Sequence, residues 1–345
     1  MGNSKNIFKQ LAAKSALLDA WRLIQKKRSA GGIDKVSVSF FEKHFDRNIN
    51  SLLHSLKNNT YVPEPYERIH AVKEGKPGEY RPLSLPTIND KIVQQALKQI
   101  LEPVFNPHFL NISYAYRPGK GPAKAISRIS HIISTQKIKW AVCADIDQFF
   151  DTMDHKIVLA ELQKRVNEPE INKLISMWLK IGVVNPKGDY ADTPSGIAQG
   201  GVISPLLSNI YLHSLDCYLT EKGCHYIRYA DNLILMRPDR RQIEKDLEAA
   251  RYFLNEVLKL RLNHQKRYIF DLEFGFVFMG IFFKGDRKFI DRARIQRMEA
   301  RLSNLVWSKL QQNPNAFFKK LRAVRVDFHH TQPRVNKKFD KFVAK

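Results

Sequence analysis

The chain has 345 residues, 43% of them hydrophobic, enough to bury one large core or two or three subdomains. No run of about 18 uninterrupted apolar residues occurs, and Met1 to Ser15 mixes lysine with polar groups, which argues against a membrane span or export segment and predicts a cytoplasmic protein. A formal net charge of +23 favours a polyanionic partner, because each Lys or Arg near a phosphate releases condensed counterions, whereas Cys143, Cys217 and Cys224 lack the paired spacing of a disulfide framework or zinc site.

The opening third reads as helices joined by short basic connectors. Leu17, Leu18, Trp21, Leu23 and Ile24 recur at helical spacing, with Gly31 and Gly32 as the expected stop. A second helix is predicted over residues 40–56, an extended segment with Pro63 and Pro65 over 60–69, and a basic hairpin tip over 71–81. The stripe Ile92, Val93, Ala96, Leu97, Ile100, Leu101 and Val104 predicts a helix over 89–105.

The middle third changes character. Residues 140–146 form a short apolar run that closes on Asp145, as a buried strand delivering an acid at its end would. Helices are expected over 154–166 and 169–181, a Gly/Pro/Asp-rich loop over 185–201, and a long helix over 204–220. Two β-rich runs around a polar centre predict a hairpin over 226–236 with Asp231 at its tip. A helix over 242–260 and a tight strand pair over 275–283 follow. Ile295, Met298, Leu302, Leu305, Val306 and Leu310 then mark an amphipathic helix whose other faces carry Arg292, Arg294, Arg297, Arg301 and Lys309, a surface suited to a nucleic-acid backbone.

Two carboxylates at strand ends dominate the chemistry. A sheet that sets the strand ending in Asp145 beside the hairpin bearing Asp231 brings both acids to one edge. Nucleotidyl transfer needs such a pair, because hard divalent cations that activate a 3′-oxygen and neutralise a triphosphate take carboxylate oxygens.

Three segments carry a resemblance: Ala144-Asp-Ile-Asp-Gln-Phe-Phe-Asp-Thr-Met-Asp-His155, Gly196-Ile-Ala-Gln-Gly-Gly-Val-Ile-Ser-Pro-Leu-Leu-Ser-Asn209 and Arg228-Tyr-Ala-Asp-Asn232. They resemble consecutive catalytic motifs of reverse transcriptases and are most similar to group II intron and related prokaryotic enzymes. Gly31-Gly-Ile-Asp34, Tyr80-Arg-Pro-Leu-Ser-Leu-Pro-Thr87, Asp90-Lys-Ile-Val-Gln94 and Tyr116-Arg-Pro-Gly119 resemble that family's fingers in the expected order. The resemblance implies an α+β right-hand polymerase: fingers over 1–135, a palm with an antiparallel sheet flanked by helices over 136–285, and a short helical thumb over 286–345. It implies an RNA-directed DNA polymerase with two Mg²⁺ ions, for which Mn²⁺ can substitute, held by Asp145, Asp231 and the Ile146 carbonyl. The partners it implies are an RNA template of structured non-coding type, a DNA primer or product, and deoxynucleotides.

Residue by residue, the resemblance makes Asp145, Asp231, Asn232 and Lys266 catalytic, with Lys266 the group that protonates pyrophosphate. Phe150 stacks under the incoming sugar and excludes a 2′-hydroxyl; Gln199 and Gly200 lie along nucleotide and template; Lys73 and Arg81 hold the triphosphate. Phe276, Phe278, Met279 and Gly280 resemble the primer grip. Two positions depart from the family pattern: Ala198 stands where proline is usual, and Asn232 where a second aspartate is usual. Asparagine keeps an oxygen but removes a negative charge, which weakens metal affinity. With no Cys/His cluster, an antiviral defence setting is the leading expectation. A weakened RNA-binding scaffold and an intron-type retroelement enzyme lacking its maturase and endonuclease regions remain open.

Overall fold

The N-terminal helices arise where apolar residues recur every three to four positions. The computed structural model, which describes residues 6–72, 78, 80–263 and 269–297, places α1 over Ile7–Leu11, α2 over Lys14–Lys27, α3 over Val38–Lys43 and α4 over Phe45–Lys57. Helix α2 buries Leu17, Ala20, Trp21 and Ile24. It stops at Arg28, which turns left-handed at φ 48°, and not at the glycines. Gly32 has another use: a Cβ there would stand 2.6 Å from the Thr87 backbone nitrogen, so this stretch of chain packs directly on the start of α5 (Ile88–Phe105). The single helix expected over 40–56 is two, because His44 leaves helical geometry at φ −118° and ψ 28°.

Strands β1 (Tyr66–Val72) and β2 (Tyr80–Leu85) pair antiparallel, from Glu67 opposite Leu85 to Val72 opposite Tyr80. Helix α5 follows with Thr87 as its cap, accepting the Asp90 N–H at 3.2 Å. Helix α6 (Pro122–Thr135) leads to β3 (Trp140–Asp145), the short helix α7 (Phe149–Thr152), α8 (His155–Gln163) and α9 (Pro169–Lys180). The loop expected over 185–201 hides part of a small hairpin. Its strands β4 (Val183–Val184) and β5 (Tyr190–Ala191) extend the first sheet, β4 running parallel to β1.

Helix α10 (Ser204–Glu221) precedes β6 (His225–Tyr229) and β7 (Asn232–Arg237). Helix α11 (Arg240–Tyr252) widens into a π turn over Phe253–Val257, so the regular helix is shorter than the expected 242–260. Strands β8 (Ile269–Asp271), β9 (Phe276–Phe278), β10 (Ile281–Lys284) and β11 (Arg287–Ile290) complete the named elements, and residues 292–297 are helical. The strand pair expected over 275–283 gains β11 as a third member. The remainder of the expected basic helix lies outside the described residues.

The central sheet has the order β6-β7-β3-β8, every neighbouring pair antiparallel. Side chains alternate between its faces. Val142, Ala144, Tyr226, Leu233 and Leu235 join one core with residues of α5, α8 and α10. Ala141, Ile227, Ile234 and Met236 join a second core with Ala125, Ile129, Ile132 and Ile133 of α6 and with Phe276, Phe278, Ile281 and Phe283. Burial on both faces explains why β3 and β7 read as continuous apolar runs. The mixed α+β architecture agrees with the expected fold class. Among the described residues no helix is long and apolar enough to cross a membrane.

Candidate active site

Asp145 ends the central strand β3, where its register partner on β7 is Asn232. The chain bends from there so that the Ile146 N–H donates to the Asp231 carbonyl at 3.1 Å. The two acids are thereby tied through adjacent backbone, one at a strand end and the other in the tip of the β6–β7 hairpin. That tip turns because Ala230 adopts φ 57°, a conformation few non-glycine residues hold without support. The support lies underneath, in the fully buried Arg228. Its guanidinium bonds both Asp216 carboxylate oxygens, at 2.7 and 2.6 Å, the Asn209 Oδ1 at 2.9 Å and the Ala230 carbonyl at 3.3 Å. Asp216 is likewise fully buried.

Asn232 donates its amide N–H to Asp231 Oδ1 at 3.1 Å. The substitution that departs from the family pattern therefore presents a donor to the neighbouring acid. Ile146 is buried with its side chain in the core, leaving only its backbone available as a ligand. Among the described residues no group of three His, Cys, Asp or Glu side chains gathers as a metal site. The donor set here is two carboxylates and a carbonyl, all hard oxygens, a chemistry that fits Mg²⁺ or Mn²⁺ completed by water and phosphate.

Phe150, on α7, is half-buried and meets Phe149 edge-on at 5.2 Å between ring centres. Its carbonyl accepts the Ile197 N–H at 2.6 Å, and a Cβ on Gly196 would fall 2.7 Å from the same oxygen, so the 196–203 loop is packed hard on α7. Gln199 donates to Asp151 Oδ2 at 3.2 Å, while its carbonyl takes the Ser84 N–H at 2.7 Å. Gly200 sits at φ 122°, and a Cβ there would stand 2.4 Å from the Ser84 carbonyl. Close backbone approach, expected at this glycine, is thus made toward β2. Arg81 is exposed on β2 opposite Ala71.

The structure also draws in groups to which the motifs give no role. Tyr116 is 46% exposed at φ 60° and stands near the hairpin: its hydroxyl pKa is raised by burial and then by Asp231 and Tyr229, with Arg81 opposing. Arg117 anchors this turn by donating to Asn106, Leu110, Ser113 and Phe109. Asp151 is raised by burial, with Arg68 and Gln199 pulling the other way. An arginine inside the apolar strand 225–229 was the available signal for a buried ion pair, since such a charge is kept inside only with a partner. Tyr116 opens the segment Tyr116-Arg-Pro-Gly119, yet nothing in that segment marks its approach to the hairpin, and no signal marks Arg68.

Lys73 and Lys266 lie outside the described residues. Phe276 and Phe278 are buried, with Phe276 stacked on Phe283 at 5.2 Å, so their rings are packing groups. Between them Val277 is 45% exposed, and Met279 and Gly280 form the following turn, both at positive φ.

The family model described as "Reverse transcriptase (RNA-dependent DNA polymerase)" matches residues 71–281. The chain is 28% identical over 310 residues to Protein YkfC of Escherichia coli (strain K12), covering 76% of this chain and 79% of that one. It is 30% identical over 242 residues to the Group II intron-encoded protein LtrA of Lactococcus lactis subsp. cremoris, covering 69% of this chain and 39% of LtrA. Among solved structures, the "Partial Cas6-RT-Cas1--Cas2 complex" superposes with a TM-score of 0.46 at 21% identity, over 73% of this chain and 43% of that one.

Proposed function

Because the chain belongs to the reverse transcriptase (RNA-dependent DNA polymerase) family, we propose that Asp145 and Asp231 are its catalytic carboxylates and that it extends a primer with deoxynucleotides along an RNA template. The observation that carries this reading is the backbone link from Ile146 N–H to the Asp231 carbonyl, which sets the two acids at one sheet edge. The divalent ions that reverse transcriptases use would be held by these carboxylates with the Ile146 carbonyl, and would supply activation of the attacking 3′-oxygen and neutralisation of the triphosphate. Mg²⁺ is the natural fit, with Mn²⁺ able to replace it.

The other roles in this proposal are those that the resemblance implies. Phe150, on the short helix α7 that follows the strand ending in Asp145, is the sugar gate. Gln199 and Gly200, clamped between Asp151 and Ser84, support the nucleotide. Arg81 and Lys73 hold the triphosphate and Lys266 donates the proton to pyrophosphate, as the resemblance implies. Residues 1–135 act as fingers, 136–285 as palm and 286–345 as thumb. The chain spans about two fifths of LtrA, and nothing of LtrA's remaining length is carried over.

A second reading, an RNA-binding scaffold with weakened catalysis, is favoured by one observation: the Asn232 amide occupies an oxygen of Asp231. Primer extension on RNA with Mg²⁺ and with Mn²⁺ separates the two. Synthesis that stops with Asp145→Ala or Asp231→Ala supports the polymerase. RNA binding without extension under either metal supports the scaffold.

A further inference from the structure

Helix α10 begins at Ser204, directly after the loop that carries Gln199 and Gly200. A helix start leaves backbone N–H groups without intrahelical acceptors, and a side chain at the cap commonly supplies one. Here the cap residue is Ile203, which has no such oxygen. An acceptor from another element instead holds the two residues that lead into the helix. Gln94, on α5 and fully buried, takes the Val202 N–H at 2.8 Å and the Ile203 N–H at 3.4 Å on its Oε1. Its Nε2 donates to the Tyr66 hydroxyl at 2.9 Å, and Tyr66, at the first position of β1, is itself buried.

The loop between these anchors has little freedom. Gly201 N–H returns to the Ala198 carbonyl at 3.1 Å, the Ser204 hydroxyl bonds the same carbonyl at 2.8 Å, and Gln199 is held to Ser84 of β2. One end of the loop is thus fastened to β2 and the other to α5, where the Gln94 oxygen receives the Val202 N–H. Resting on the polymerase reading above, we infer that Gln94 is a positioning residue: it acts through the backbone of 198–203 to hold Gln199 and Gly200 against the incoming nucleotide, coupling α5 to the nucleotide site. The Val202 and Ile203 N–H groups, which can only donate, set the amide so that its oxygen faces the loop, and the Tyr66 hydroxyl takes the nitrogen's hydrogen at the other end.

The test uses the full chain on a primed RNA template. Gln94→Met keeps the length and apolar fill but leaves the half-buried Val202 N–H and the buried Ile203 N–H without an acceptor, a change that should raise KM for deoxynucleotide about tenfold. Primer–template Kd should stay within about twofold of wild type, which separates loop positioning from general unfolding. Gln94→Glu keeps the accepting oxygen and should recover most of the loss. Amide hydrogen exchange at Val202 and Ile203 gives a readout independent of turnover and should quicken in Gln94→Met alone. A Gln94→Met enzyme with wild-type KM, or one whose KM and primer–template Kd rise together with Gln94→Glu no better, overturns the inference. A wild type that incorporates nothing overturns the polymerase reading and this role with it, whereas an active wild type matched by Gln94→Met overturns this role alone.

Discussion

Replacing Asp216 by alanine removes the counter-charge of Arg228 while leaving the guanidinium in place. Both groups have no exposed side-chain surface, and the two hydrogen bonds that this change removes measure 2.7 and 2.6 Å. Breaking a buried pair by deleting one partner costs about 3–5 kcal/mol, because the remaining charge stays uncompensated in a low-dielectric interior. For a chain of this size that lowers the melting temperature by roughly 4–7 °C. Thermal and chemical denaturation measure it directly. The double variant Arg228→Met with Asp216→Leu removes both charges and should regain most of the stability, since apolar replacement of a whole buried pair is often close to neutral. It should not regain activity, because the bond from Arg228 to the Ala230 carbonyl that holds the catalytic turn is gone. A loss under about 1 kcal/mol for Asp216→Ala, the size of an exposed pair, would refute the reasoning. So would a fully active double variant.

Gly200→Ala places a Cβ 2.4 Å from the Ser84 carbonyl at a backbone φ of 122°, and should lower kcat/KM for deoxynucleotide by about tenfold or more, on the order of the 1–3 kcal/mol such strain costs; steady-state kinetics check it, and an unchanged value contradicts the clamp. Asn232→Asp replaces the donor to Asp231 by a like charge, so metal-free melting should fall slightly while half-saturating Mg²⁺ also falls; a metal titration of both forms shows whether Asn232 reaches the metal at all. Phe150→Ala should raise ribonucleotide incorporation relative to deoxynucleotide in a competition assay, and unchanged selectivity removes Phe150 as the gate. Asp90 is pushed up to about 6 by burial, against three hydrogen bonds from Tyr61, Thr87 and the Glu64 backbone. A raised folded-state value means stability present below the unfolded pKa and lost as pH climbs through about 6, so Asp90→Asn should gain on wild type between about pH 4 and pH 7 by up to about 3 kcal/mol; melts across that range with no such gain contradict a buried carboxylate.

Much of the site was legible because its chemistry is local in sequence. The run closing on Asp145 and the β-rich segments around Asp231 are strand and hairpin by composition alone, and their pairing followed from the need to bring two acids to one edge. Gly200 was legible as a close approach, though not the partner it approaches, because Ser84 lies far back along the chain on β2. Long-range polar contacts had no such signal. Gln94 lies beside the apolar stripe of α5, whose neighbours account for its burial, so nothing in the spacing tells that its amide holds a loop in another part of the chain. The break at His44 and the π turn after Tyr252 were illegible for a related reason: helical periodicity runs on through both, and tertiary packing decides where the regular helix yields. Phe276 and Phe278 show the converse, since alternation with Val277 marks them as inward-facing on a strand.

The central claim rests on the Asp145 and Asp231 pair. Single-turnover incorporation of one deoxynucleotide on a primed RNA template, with Asp145→Asn and Asp231→Asn beside wild type and RNA affinity measured on the same samples, tests it most directly. Wild type should incorporate in Mg²⁺ or Mn²⁺, either variant should lose roughly a thousandfold or more, about 4 kcal/mol of transition-state stabilisation, and RNA affinity should stay unchanged. Incorporation that survives either substitution, or a wild type that binds RNA yet adds no nucleotide with either metal, contradicts that claim.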